Sequence, residues 1–244
     1  FDEVEISIIE DGERQSTANL DIAPSAVFEN MLSSFVPNRR EINRDEFQTP
    51  AVLYICGGNS QSNPYFQELV NWKHQSGYVV YTASTIETGT SSSSIKNYIQ
   101  NAYYNFDPVP EYVGLVGDVG GQYNIPTNGQ GYGDSDHGYT MLDGSDLLAE
   151  VIIGRISASN ASELSTVISK IINYEKATYL DAISDYYERA YLIGDPSSSG
   201  QSTIITNRYI EDQMEYYGIN DITTNYGQGN YAQDMQNNLA NGVL

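Results

Sequence analysis

An α/β fold with a mostly parallel sheet is what this sequence predicts, and three observations predict it. From residue 51 onward, short apolar runs alternate with stretches of helical spacing. The 244 residues are 40% apolar, enough to bury a sizeable core. Pro, Gly and Ser/Asn stand where helices between parallel strands start and stop. Such alternation implies right-handed β-α-β crossovers with helices on both faces of the sheet.

The elements follow in order. Residues 1 to 9 (FDEVEISII) alternate Val4, Ile6 and Ile8 with polar residues, the period of a half-buried strand. Residues 10 to 49 lose that period. Pro24, Pro37, Arg39, Arg40 and Arg44 mark a connector with one amphipathic turn over Ala26 to Phe35. A boundary near Pro50 therefore separates residues 1–49 from a larger segment, 50–244. In that segment the strands are Ala51 to Cys56, Tyr78 to Ala83, Tyr112 to Val116, Val151 to Ile156, Ala190 to Ile193 and Ile219 to Thr223. Helices are expected over Pro64 to Gln75, Ser94 to Phe106, Ala161 to Ala177, Ile204 to Tyr217 and Tyr231 to Ala240. Asn63-Pro64 caps the first of these, Gly77 closes it, and Ser159-Asn160 opens another. The exception is Gly117 to Glu150, a long Gly- and Asp-rich stretch between two strands, the kind of irregular segment that often carries function.

Charge and composition narrow the partners. With 32 acids against 11 bases the chain carries −21, which repels phosphate backbones and anionic lipid surfaces, so nucleic acid is excluded as a partner. No apolar run approaches the ~20 residues of a membrane span, and Phe1 opens no secretory leader. A single cysteine, Cys56, rules out an internal disulfide framework. The abundance of Tyr, Asn, Gln, Ser and Gly matches exported bacterial proteins.

The common catalytic signatures are absent: no G-x-S-x-G, H-E-x-x-H, Walker A loop or paired C-x-x-C occurs. His74 falls on a helix surface beside Trp72 and Lys73, whereas His137 lies in the loop, where local hydrogen bonding is its expected role. Cys56 sits inside an apolar strand and reads as a small buried hydrophobe. The acids say more. Asp118 ends the run YVGLVGD at a strand's carboxyl end, the edge where parallel sheets present ligand groups. Asp143-Gly144-Ser145-Asp146, then Glu150, offers hard oxygen ligands around a Gly turn, as calcium loops do. The EF-hand register, which ends on Glu, lands on Gly154 instead. A plain hairpin turn explains the same residues equally well.

Several landmarks coincide in order: WKHQSG (Trp72 to Gly77), YVGLVGD, Ser135-Asp136 before Tyr139, LDGSD (Leu142 to Asp146), EVIIGRI (Glu150 to Ile156) and INYE (Ile172 to Glu175). Together they resemble the gingipain-type cysteine peptidases, peptidase family C25. The resemblance implies a caspase-like α/β/α sandwich, with residues 1–49 as the end of a pro-segment and linker. Residues 50–244 then form the amino-terminal subdomain of the catalytic domain, truncated before the family's catalytic His and Cys. It further implies a calcium site at Asp118, Asp146 and Glu150, with Asp143 and the Leu148 carbonyl as contributors. Asp195 matches an acid that orients the catalytic His, and Thr203 matches the position where Arg-specific members present an acid to substrate.

Two functions compete. One is part of a secreted or cell-surface bacterial cysteine endopeptidase that acts on protein or peptide substrates, its dyad supplied by the carboxyl-terminal half, with this chain alone inactive. The other is a non-catalytic calcium-binding or interaction module of the same fold. A flavodoxin-like nucleotide site is disfavoured because Gly57-Gly58-Asn59 lacks the spacing of a phosphate loop.

Overall fold

The computed structural model describes residues 23–35, 43, 46–129, 133–177, 188–196, 201–227 and 229–241. The strand expected at residues 1 to 9 lies outside them. The chain divides into two compact units, residues 1–172 and 173–244. All six strands expected after residue 50 are present and every pair is parallel, hydrogen-bonded as a sheet of four in the first unit and a sheet of two in the second.

In the first unit a helix α1 (Ala26–Phe35) precedes the sheet, where the sequence suggested a single amphipathic turn. Then follow β1 (Ala51–Cys56), α2 (Pro64–Gln75), β2 (Val79–Ser84), a short α3 (Thr85–Thr88), α4 (Ser92–Asn105), β3 (Tyr112–Val116), β4 (Ile152–Ile156) and α5 (Ala161–Glu175). Strand order is β2-β1-β3-β4. β1 is buried along its whole length, as expected of a continuous apolar run at the centre of a parallel sheet. Its alternate residues feed two cores. Val52, Tyr54 and Cys56 pack with Phe66 and Leu69 of α2 and with Leu164 and Ile168 of α5. Leu53 and Ile55 pack on the opposite face with Ile95, Ile99 and Ala102 of α4.

That second core also holds Ile125, Tyr139 and Leu142, all from the long stretch between β3 and β4. Right-handed connection from β3 to β4 must cross the α4 face. The Gly- and Asp-rich segment therefore covers the sheet where a crossover helix would otherwise lie. Its length is explained by that covering role.

The second unit contains β5 (Arg189–Gly194), α6 (Ser202–Tyr216), β6 (Asp221–Tyr226) and α7 (Tyr231–Asn241). Four strand starts differ from the sequence reading, β2, β4 and β5 by one residue each and β6 by two, and the differences at β2 and β6 share a cause. After α2, the Tyr78 amide donates to Lys73 O (3.0 Å) and the Gly77 amide to His74 O (3.1 Å). After α6, Ile219 and Gly218 repeat the pair with Met214 O (2.9 Å) and Glu215 O (3.0 Å). Both are Schellman caps around a left-handed glycine, with φ of 90° at Gly77 and 95° at Gly218. Tyr78 and Ile219 thus belong to helix ends, although their side chains suit strands.

Candidate functional site

The connection between strands reverses direction at β1 and β3, so the carboxyl ends of these two strands form the crevice where open parallel sheets bind ligands. Here the protein fills that crevice itself. A Cβ at Gly57 would lie 2.4 Å from the Tyr123 carbonyl oxygen, and one at Gly117 would lie 2.0 Å from the same atom. The buried Tyr123 and its neighbour Gln122 are held by donating their amides to Ser159 O (3.3 and 2.9 Å). With the backbone of the loop resting on both glycines, no phosphate can approach them, which removes the flavodoxin-like reading.

Arg155 of β4 fixes the rest of the loop. Its Nε and Nη2 donate to Asp136 Oδ2 (2.8 Å) and Oδ1 (2.7 Å), a bidentate pair. Nη1 donates to Gly117 O (3.1 Å) and Ile125 O (2.9 Å), and Nη2 to Pro126 O (3.3 Å). The fork thereby ties Gly117, Ile125-Pro126 and Asp136 of the segment to one strand. Both side chains are mostly covered, at 13% and 20% exposure. The Tyr139 hydroxyl adds a bond to Pro126 O (2.7 Å), and burial pushes its phenol up to about 12. Arg155 escaped the sequence reading. An arginine within the apolar run VIIGRI was the available signal, since a buried guanidinium requires a carboxylate partner.

Neither histidine is paired with the thiol. His74 is exposed on α2. His137 faces Leu147 O through Nε2 (3.0 Å) and the Thr140 hydroxyl through Nδ1 (3.3 Å), the local role its loop position suggested. Cys56 is fully buried at the end of β1. Burial drives its thiol up to about 12, against a smaller opposing effect from the Ser60 hydrogen bond, while the Glu87 charge adds to the rise. It is a core residue of the first unit.

The acids of the expected calcium site each accept a backbone amide. Glu150 Oε2 takes Leu142 N (2.5 Å) and Asp143 N (3.2 Å). Asp146 Oδ1 takes Leu148 N (2.9 Å), Asp118 Oδ1 takes Val119 N (2.8 Å), and Asp143 Oδ1 takes Gly144 N (3.0 Å) and the Tyr104 hydroxyl (3.1 Å). Among the described residues no three Asp, Glu, His or Cys side chains converge as a metal-binding group. Asp195 follows β5 directly and is exposed, and Thr203 is half-buried in the first turn of α6.

Comparison with known proteins adds the lineage. A profile described as "Peptidase family C25" matches residues 45–244. Lys-gingipain of Porphyromonas gingivalis is 31% identical over 173 residues, covering 66% of this chain and 10% of that protein. Gingipain R2 of the same organism is 29% identical over 170 residues, covering 67% of this chain and 22% of its own length. Among solved structures, one titled "Structure of Protease" superposes with a TM-score of 0.62 at 28% identity over 75% of this chain and 41% of the other. The Arg-specific cysteine proteinase gingipain R superposes with a TM-score of 0.61 at 21% identity over 81% of this chain and 45% of the other. The chain thus spans less than half of the solved proteins it matches. No helix among the described residues is long and apolar enough to cross a membrane.

Proposed function

The chain belongs to peptidase family C25, and from that premise we propose that it is the amino-terminal part of the catalytic region of a secreted or cell-surface bacterial cysteine endopeptidase. The observation that carries the reading is the family match over most of the chain combined with its one thiol being sealed in the core. The nucleophile and its base then come from the carboxyl-terminal half of the same protein. In the peptidase, the thiolate attacks the scissile carbonyl of a protein or peptide substrate, and the imidazolium returns a proton to the leaving amine. Asp195 accepts the imidazole N–H, fixing the tautomer and stabilising the imidazolium. Thr203, which carries no charge, offers no counterion to an Arg side chain of the substrate, so Arg specificity is not expected.

The test uses the longer gene product beside residues 1–244. Peptide hydrolysis by the longer protein, abolished by thiol alkylation and absent from residues 1–244, is the expected result. Hydrolysis by residues 1–244 that disappears in Cys56→Ala would overturn it, as would alkylation-resistant hydrolysis by the longer protein.

We also propose, from the spacing of the acids and the family resemblance, that Asp118, Asp146 and Glu150 bind calcium with Asp143 and the Leu148 carbonyl. Since their carboxylates now serve backbone amides, no catalytic step is assigned to the ion, and a structural role is the one tested by the melts described in the Discussion.

A further inference from the structure

The chain leaving β5 is held on both sides of Asp195. On one side Asn207 of α6 donates from Nδ2 to Ile193 O (2.7 Å), the carbonyl two residues ahead of Asp195. A glycine allows this approach. A Cβ at Gly194 would lie 3.4 Å from Asn207 Nδ2, 3.6 Å from Ile204 Cγ1 and 3.3 Å from the Tyr226 ring, so a larger side chain there would collide with α6. On the other side Pro196 rests against the turn after β6, where a Cβ at Gly227 would meet its ring carbons at 3.2 and 3.3 Å. The φ of 84° at Gly227 suits glycine. Pro196 also confines Asp195 to extended backbone, because a proline ring crowds the residue before it. Asn207 stands four residues after Thr203, one turn further along the same face of α6. The helix turn that carries Thr203 is therefore fastened, through Asn207, to the strand end that carries Asp195.

We infer that Asn207 is a positioning residue of the peptidase: its bond to Ile193 O sets where the Asp195 carboxylate stands for the imidazole and keeps it in register with Thr203. This rests on the reading above, in which Asp195 accepts the imidazole N–H and Thr203 lies on the substrate side. Asn207 acts through Asp195 and is assigned no contact with the reacting atoms. Its chemistry suits the task. A carbonyl can accept only from a donor, and the asparagine amide is a donor that stays neutral at every working pH. It therefore holds the strand end without competing with Asp195 for the imidazole proton. A lysine or arginine hook would place a positive charge beside the carboxylate and weaken its hold on an imidazolium.

Steady-state kinetics of the longer protein test the assignment, with active sites counted by an irreversible thiol inhibitor and folding checked by thermal melts. Asn207→Leu keeps the volume and removes the donor, and Asn207→Ser, which shortens the side chain, takes its place if the leucine variant does not fold. The expected result is a fall in kcat per active site of at least about tenfold with KM within about twofold, since a displaced orienting group is felt in the transition state and not in substrate binding. Asp195→Asn gives an equal or larger fall. The double variant, Asp195→Asn with Asn207→Leu, falls no further than Asp195→Asn alone, because both changes remove the same interaction. A hook that only stabilised the fold would lower the melting temperature and leave kcat per active site unchanged, and that result overturns the inference. A loss confined to KM overturns it too, as do losses that multiply in the double variant or an Asp195→Asn variant with the kcat of the parent. An inactive parent would remove the peptidase reading and this assignment with it. An active parent indifferent to Asn207→Leu would remove this assignment alone.

Discussion

Two side chains show how burial decides chemistry at the residue scale. Cys56 has the residue type of a nucleophile and the surroundings of a core methyl group. With its thiol pushed up to about 12, native protein at pH 8 should react with a thiol reagent far more slowly than protein unfolded in urea, and a labelling time course checks this. The raised value also has a sign. Relative to an unfolded thiol near ~8.5, the folded state favours the protonated form, so this contribution to stability is complete below ~8.5 and is lost as pH rises toward 12. Equal labelling rates in native and unfolded protein would contradict the burial of Cys56. Arg155 is the converse, a charge kept inside because every N–H direction of its fork has an acceptor. Arg155→Ala leaves Asp136 and the Gly117 and Ile125 carbonyls short of donors and should cost about 3 kcal/mol in chemical denaturation. Arg155→Lys retains the charge without the fork and should recover less than half of that loss. A lysine variant as stable as the parent would show that the fork geometry is unimportant.

At the scale of elements, close backbone approach matters more than propensity. Gly57 and Gly117 end β1 and β3 with the Tyr123 carbonyl resting on both, so Gly117→Ala must displace the loop and should cost about 2 kcal/mol or more. Gly154 in β4 has nothing within 4 Å of a built Cβ, and Gly154→Ala should be neutral or slightly stabilising in the same denaturation experiment. A Gly117→Ala variant as stable as Gly154→Ala would mean that the loop does not rest on the sheet. This contrast also marks what the sequence made legible. Apolar runs and helical spacing revealed every strand after residue 50 and the helix Pro64–Gln75 to the residue, because the period of burial is written in the side chains. The Schellman caps moved Tyr78 and Ile219 out of strands through backbone bonds that side-chain patterns do not report. The covering role of the Gly- and Asp-rich segment was hidden for a similar reason, since its buried Ile125, Tyr139 and Leu142 follow no period. Asp136 was visible as a landmark, but its guanidinium partner lies 19 residues away in sequence.

For the whole molecule, charge sets the background against which any specific ion must be judged. At −21 the folded chain repels itself, and screening by monovalent salt should raise its melting temperature without any binding site. A divalent cation screens more strongly, so a rise with calcium alone proves little. The informative quantity is the increment of calcium over magnesium at matched ionic strength, because magnesium holds its waters and needs a tighter shell. Calcium binding only to the folded state would add about 2.7 kcal/mol at one hundred times Kd. Glu150 already serves two amides, so Glu150→Gln should lower the melting temperature even with chelator present, and variants must be compared by their calcium increment and not by absolute midpoint. The parent is expected to show that increment, and Asp146→Asn with Glu150→Gln is expected to erase it. If calcium and magnesium shift the parent equally, the acids of Asp118 to Glu150 act as amide acceptors and surface charge alone, and the calcium proposal falls.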